Sequence, residues 1–502
     1  MKSPIIIGGK EILKDTFTGS SLFYKDYTYG IANASMLDIA AAIGNARNAQ
    51  RASLESRVQC LRTAASSFSY TDEDVEHAVR ILGMPISLIK EYFESIPAIL
   101  RGLPDAVGAR FNGLPEQLPY LAEKLTDETY KLLVPENGFC YVVTPGNDVR
   151  AAAMVAANLC YHGIPFIIKA SKEDAAAPLL IKALLDGGFS PGFCNLLYFD
   201  SSAADAGKKH FKILDACSTI WTFGSDETVD NVLRYEVKER KVFLDVTDIV
   251  QEGDGPIKLS LPDSDLALKS RIVIKEEKAD HFQGKRVLRH GCGNCAMIVG
   301  GEFDDLMTDM LTRSFGYAIG CNAVKSVMVV NSDRWLIHAA EYLAGLVTGD
   351  PLDERTQVGY VNPQNLDYLD NLLNREKAKV NVYGGKRLSP YQATPMLIHT
   401  QARIDGLFGQ EIPAYVLSVR HCEAMDEAVQ QINSYTGKNL RLVVSFINVA
   451  HSDVIKEFGK VKAHAIFVNQ PTATVVPYFH EGNDYALKLS QERLLIYHES
   501  NY

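Results

Sequence analysis

From residue 138 to 225 the chain alternates short β-branched runs with Ala- and Leu-rich helical runs, and leaves almost nothing between them. "GFCYVVTPGN" (138–147) reads as a strand ending in a Pro-Gly turn, and "AAAMVAANLCYHG" (151–163) as a helix closed by Gly. "PFIIKAS" (165–171) is a strand, "DAAAPLLIKALLDGG" (174–188) a helix stopped by Gly-Gly, and "FCNLLYF" (193–199) and "STIWTFGS" (218–225) are two more strands. Strands linked through helices by short connections run parallel, and a parallel sheet is covered on both faces. The pattern therefore predicts a doubly wound α/β domain. Such sheets hold ligands at the carboxyl ends of their strands, where "TPGN", "KAS" and "FGS" fall.

Upstream, 36–69 is Ala-rich with apolar residues at helical spacing and reads as two amphipathic helices. From 226 to 285 the pattern loosens into a charged, Gly- and Pro-punctuated insertion with a few short strands. Alternation resumes at "VLRHGCGNCAMIVG", with a helix over 303–318 and strands over 321–330, 413–419, 440–448 and 463–469, a second α/β unit. "RLLIYHES" (493–500) is a strand with no obvious sequence partner, to be paired with another element or another subunit.

A formal charge of −10 gives no basic surface for phosphate backbones, so nucleic-acid binding is not expected; "KERK" (238–241) is too short to alter that. The opening "MKSPIIIGGKEIL" lacks the long apolar stretch and cleavage site of a signal peptide, and no run approaches the ~18 apolar residues of a membrane span. Nine scattered cysteines suit reduced thiols and a cytoplasmic setting.

Two cysteine contexts carry chemistry. In "RHGCGNCAMIV" (289–299), Cys292 and Cys295 form a CxxC two residues after His290: half a zinc site, a redox dithiol, or neither. A zinc half-site needs a second ligand pair at recognisable spacing and none follows, so no metal is expected. Cys321 follows "FGYAIG" at a helix-to-strand junction, where exposed backbone amides can stabilise a thiolate, the nucleophilic form.

The segment "CNAVKSVMVV" resembles the nucleophile segment of the aldehyde dehydrogenase superfamily, closest to its CoA-acylating branch, in the pattern Cys321, Ala323, Lys325, Val327 and Val329. "GCGNCAMIV" is similar to that branch's glycine turn through Gly291, Gly293, Asn294 and Val299, with Cys292 where Pro is usual. "VTPGND", "IIKAS", "GGFSPGFCNLL", "TFGSDE", "GDPLDERTQVGYV" and "EIPAYVLSV" follow in superfamily order, leaving only 226–285 without a counterpart.

The resemblance implies an aldehyde dehydrogenase-like fold. It comprises a Rossmann-type cofactor domain over 1–290, a catalytic domain over 291–465, and an oligomerisation sheet from 128–138 and 485–502, giving a homodimer or homotetramer. It further implies Cys321 as nucleophile, attacking a carbonyl to form a thiohemiacetal and then a thioester, with Asn147 as oxyanion donor. NAD or NADP would be held by Thr144, Pro145, Lys169, Ser171, Gly224, Ser225 and Glu411.

Departures from the family sharpen the expectation. Hydrolytic members carry a water-activating Glu where this chain has His290. Loss of that carboxylate suits release of the thioester by coenzyme A, or the reverse reduction of an acyl-CoA, although His290 is itself a candidate base near neutrality. A hydrolytic enzyme and an inactive structural relative remain the alternatives. The family's Trp before Asn147 is Gly146, and its Phe near the nicotinamide riboside is Pro413. Lys172 precedes Glu173 near the expected ribose, so NADP stays open. "GSDETV" (224–229) is also similar to bioluminescence-type fatty acyl-CoA reductases.

Overall fold

The computed structural model describes residues 2–109, 121–125, 129–224, 248–250, 258–260, 285–291, 293–316, 318–332, 334–435, 440–474, 476–480 and 482–496. Ser225, Cys292 and nearly all of the 226–285 insertion lie outside the described residues. Of that insertion, Asp248–Val250 and Lys258–Ser260 form an antiparallel pair.

The alternating segment folds into the larger part of a seven-stranded sheet in the order Arg286–His290, Thr219–Phe223, Cys140–Val143, Phe166–Lys169, Cys194–Leu197, Ile5–Ile7, Lys10–Ile12. The first five run parallel. The chain starts at Cys140–Val143, walks outward through the Phe166 and Cys194 strands, then returns to lay the Thr219 strand on the other side. That reversal leaves a crevice beyond the carboxyl ends of the Cys140 and Thr219 strands, which is where doubly wound sheets bind ligands. The helix Ala151–His162 is buried along its whole length and ends on Gly163 in the left-handed conformation (φ 72°). A helix apolar all round belongs in a core, and a Gly relieves the strain of that terminal turn.

Two helices that the sequence pattern passed over pack against this domain. Asp72–Leu82 starts with a capping box between Thr71 and Asp74. Ile86–Gly108 carries Pro97 and Pro104 inside it, which disguises its helical period.

The second sheet also has seven strands, ordered Asn381–Gly384, Met396–His399, Val416–Cys422, Val324–Val330, Cys295–Gly300, Arg441–Ile447, Ala463–Val468. All are parallel except the Asn381–Gly384 edge. The Asn381 and Met396 strands, with the helices Trp335–Gly345 and Pro363–Glu376, were likewise not read from the sequence. Ser490–Ile496 pairs antiparallel with Thr129–Pro135 over seven residues, and Leu121–Lys124 completes a three-stranded sheet.

The chain crosses between the two large sheets through residues 291–294. Residues from the carboxyl edge of the first sheet and from the amino edge of the second line one common cavity.

Arg441 anchors that crossing. It is 1 % exposed, and its guanidinium donates to the carbonyls of Asn294 (3.0 Å), Phe408 (2.8 Å) and Ile432 (3.5 Å), the Asn294 side-chain oxygen (3.1 Å) and Ser326 Oγ (3.3 Å). Burial lowers its pKa to about 10, so it stays charged at neutral pH. Replacing it strands several buried carbonyls. Arg441→Met should lose about 3 kcal/mol of stability, read as a lower urea midpoint at unchanged slope.

Candidate active site

A cavity of about 630 Å³ lies between these edges. Thr144, Pro145 and Asn147 enter it from the turn after Cys140–Val143, Lys169 and Ser171 from the end of the next strand, and Gly224 and His290 from the ends of the two strands beyond. Cys321 and Glu411 reach it from the amino edge of the second sheet. The cavity thus gathers every sequence-predicted site residue except Ser225, which is outside the described residues. Ile99, Met154, Leu442, Phe467, Val476 and Phe479 also line it, and Leu442 and Phe467 pack with Cys321.

Cys321 sits in a turn just before Val324–Val330, and that turn is fixed from several directions. Asn147 Nδ2 donates to the Ile319 carbonyl at 2.7 Å. Thr472 Oγ1 donates to the Asn322 carbonyl at 2.7 Å, and Asn322 returns a bond to the Ala473 carbonyl at 3.3 Å. Gly293 lies flat against the backbone of Cys321: a Cβ there would fall 1.5 Å from the Cys321 carbonyl oxygen. The Gly293 N–H donates to Glu411 Oε2 at 2.8 Å, and its carbonyl accepts from Leu442 at 2.8 Å. Glycine is therefore required by space at this position.

Cys295 is buried, its thiol donates to the Cys321 carbonyl at 3.5 Å, and burial pushes its pKa well up. A thiol so held is a packing residue and a poor nucleophile. Among the described residues no group of three His, Cys, Asp or Glu side chains could hold a metal ion, and no helix is long and apolar enough to cross a membrane.

The opposite end of the cavity suits a dinucleotide. Lys169 is partly buried with its pKa lowered by burial; its ammonium donates to Ser201 Oγ at 3.3 Å and lies 5.5 Å from the centre of the Phe199 ring. Ser171 bonds Glu173, and its N–H donates to Thr144 Oγ1 at 3.3 Å. Behind them Asp174 accepts from the Ala176 and Ala177 N–H groups, with its carboxyl raised by burial to about 7. Gly224, at φ 147°, ends its strand with no side chain to bar a phosphate. Ammonium, hydroxyl, carboxylate and bare glycine backbone are the donors and acceptors that ribose and pyrophosphate need, so the residues fit the cofactor. A Cβ at Gly146 would come within 2.8 Å of Ser171 Oγ and 2.9 Å of Glu173 Oε2, which leaves little room for the family's Trp. Lys172 stands 3.8 Å from Glu173, so its charge is partly balanced there.

His290 is 2 % exposed, stacked on Phe223 with ring centres 4.5 Å apart, and its Nε2 is 3.4 Å from the Tyr485 hydroxyl. Burial, with a smaller effect of His464, lowers its pKa from 6.5 to about 3. The imidazole is neutral at physiological pH and a weak base.

The sequence reading missed the pair beside Asn147. Arg150 forks onto Asp148 (2.8 and 2.9 Å) and lies 3.8 Å over the Tyr92 ring, closing one wall. "NDVR" held the signal, since a carboxylate two residues before an Arg can form such a fork, but nothing in it marked a cavity wall.

Residues 271–480 match the Aldehyde dehydrogenase family. No curated protein sequence matches the chain. Among solved structures it is similar to the NAD-dependent aldehyde dehydrogenase from Sinorhizobium meliloti, at 16% identity and TM-score 0.75 over 99% of this chain and 94% of that one. Aldehyde dehydrogenase 21 from Physcomitrella patens, in complex with succinate, aligns at 15% identity and TM-score 0.73 over 98% of both chains. The aldehyde dehydrogenase KauB from Pseudomonas aeruginosa aligns at 18% and 0.72 over 98% and 96%. The chain has the fold of these aldehyde dehydrogenases, and its residues 271–480 match their family.

Two outcomes follow from this geometry. Gly293→Ala should displace the Cys321 backbone and slow Cys321 alkylation by iodoacetamide at least tenfold, whereas Gly102→Ala, in open space, should not. Folded His290 resists protonation, so stability is indifferent to it above pH 6.5 and is lost as pH falls towards 3. Between pH 7 and pH 5, His290→Phe should therefore lose about 2 kcal/mol less stability than wild type, measured by urea denaturation.

Proposed function

We propose that the protein is an NAD(P)-dependent, CoA-acylating aldehyde dehydrogenase, equally able to reduce an acyl-CoA to its aldehyde. The observation that carries this reading is the buried, neutral His290 where hydrolytic relatives place a water-activating Glu.

Cys321 attacks the aldehyde carbonyl through its sulfur. The Asn147 amide spends one N–H on the Ile319 carbonyl, and its second N–H can meet the oxyanion that develops. When bound, the nicotinamide takes or gives the hydride; Lys169, Ser171, Gly224 and Glu411 are the residues to hold it. The product on the enzyme is a Cys321 thioester.

Release decides the branch. The cavity's carboxylates are Asp148, forked to Arg150, and Glu411, bonded to the Gly293 amide, while His290 is a weak base. Water has a pKa far above neutrality and needs a strong base, whereas a thiol ionises readily near pH 8.5 and attacks a thioester unaided. The apolar residues of the lining suit an acyl chain in preference to a small charged aldehyde. We further propose a homodimer or homotetramer built on the three-stranded sheet, whose outer strands Leu121–Lys124 and Ser490–Ile496 each have one edge unpaired among the described residues.

The test is aldehyde-dependent NAD(P)H formation with and without CoA. Turnover should require CoA and yield an acyl-CoA, and Cys321→Ala should lower it by at least a thousandfold. CoA-independent turnover to free acid would make the enzyme hydrolytic and overturn the proposal.

A further inference from the structure

Lys325 is the residue of the nucleophile segment that the mechanism leaves without a task. It lies in the Val324–Val330 strand, in the interior of a parallel sheet, where an unbroken apolar run is the rule. It is 2 % exposed. A buried ammonium costs several kcal/mol where a Met would pack without penalty, so folding alone does not call for a lysine here.

Its backbone is irregular as well. Val324 pairs with Cys295 and Ser326 with Ala296, so Lys325 is an extra residue that the neighbouring strand skips. Such bulges turn a side chain out of the sheet's alternation and recur beside active sites. Here the side chain is turned towards the amino edge. Its ammonium donates to the carbonyl of Ala318, in the turn that carries Cys321, and to the carbonyl of Ala414 at 3.3 Å, in the segment that follows Glu411. Ala318 is followed by Ile319, whose carbonyl is held by Asn147 from the other domain. Two successive carbonyls of the nucleophile turn are thus held by side chains from opposite sheets.

We propose that Lys325 is a positioning residue, whose ammonium ties the Cys321 turn to the Glu411 segment. The charged groups that face it are Glu411, which favours the ammonium, and the Cys295 thiol; burial outweighs both and brings its pKa to about 8. The proposal rests on Cys321 as nucleophile, and it does not depend on whether water or CoA releases the product.

The experiment compares wild type with Lys325→Met and Lys325→Ala. Lys325→Met should melt no lower than wild type. At pH 7 its Cys321 should alkylate with iodoacetamide at least fivefold more slowly, because the turn that carries it is no longer tied to the Glu411 segment. Its kcat should fall about a hundredfold while KM for the nicotinamide cofactor stays within threefold. Lys325→Ala should regain part of its alkylation rate, saturably, with added methylammonium. Wild-type alkylation and kcat in Lys325→Met would overturn the proposal. So would a loss that tracks a lowered melting temperature in both variants with no rescue by amine. If wild type alkylates at Cys321 but never requires CoA, the acylating reading fails while the alkylation result still decides the role of Lys325.

Discussion

Everything at the site depends on the contact of Gly293 with the backbone of Cys321. No side chain separates the turn that joins the two sheets from the turn that carries the thiol, and the two main chains touch. That approach fixes where the Cys321 backbone sits. It also aims the Gly293 N–H at Glu411 and leaves the following Asn294 at φ 43°, a conformation that Arg441 holds through both the carbonyl and the side-chain oxygen. A backbone strained in this way persists only where its surroundings over-determine it.

The polar groups around the cavity are arranged economically. Asn147 and Arg441 each reach across from one element to hold the main chain of another, and both use carbonyls instead of carboxylates as partners. A carboxylate is then not needed to balance either of them. His290 lies in an aromatic stack with Phe223 and Tyr485, where burial keeps its imidazole neutral.

Much of this was legible in the sequence because local pattern and tertiary role coincide there. The alternation from Cys140 to Phe223 implied a parallel sheet, and with it ligands at the carboxyl ends of its strands. The helix Ile86–Gly108 escaped notice because two prolines interrupt its period, and its contribution of Ile99 to the cavity is a purely tertiary fact. His290 illustrates the deeper limit. Its identity was plain, yet whether an imidazole is a base or a packing ring depends on burial by residues as distant as Tyr485. Arg150 and Lys325 are similar cases, charged residues whose burial no local signal announced.

The four-residue crossing at 291–294 has a mechanical consequence. Four residues span at most about 14 Å when fully extended, so the two sheets stay close at this point. Main-chain bonds from Ile86 to Pro351 and from Tyr360 to Gly83 tie the two halves again elsewhere, so the crossing is one of several links that hold them together.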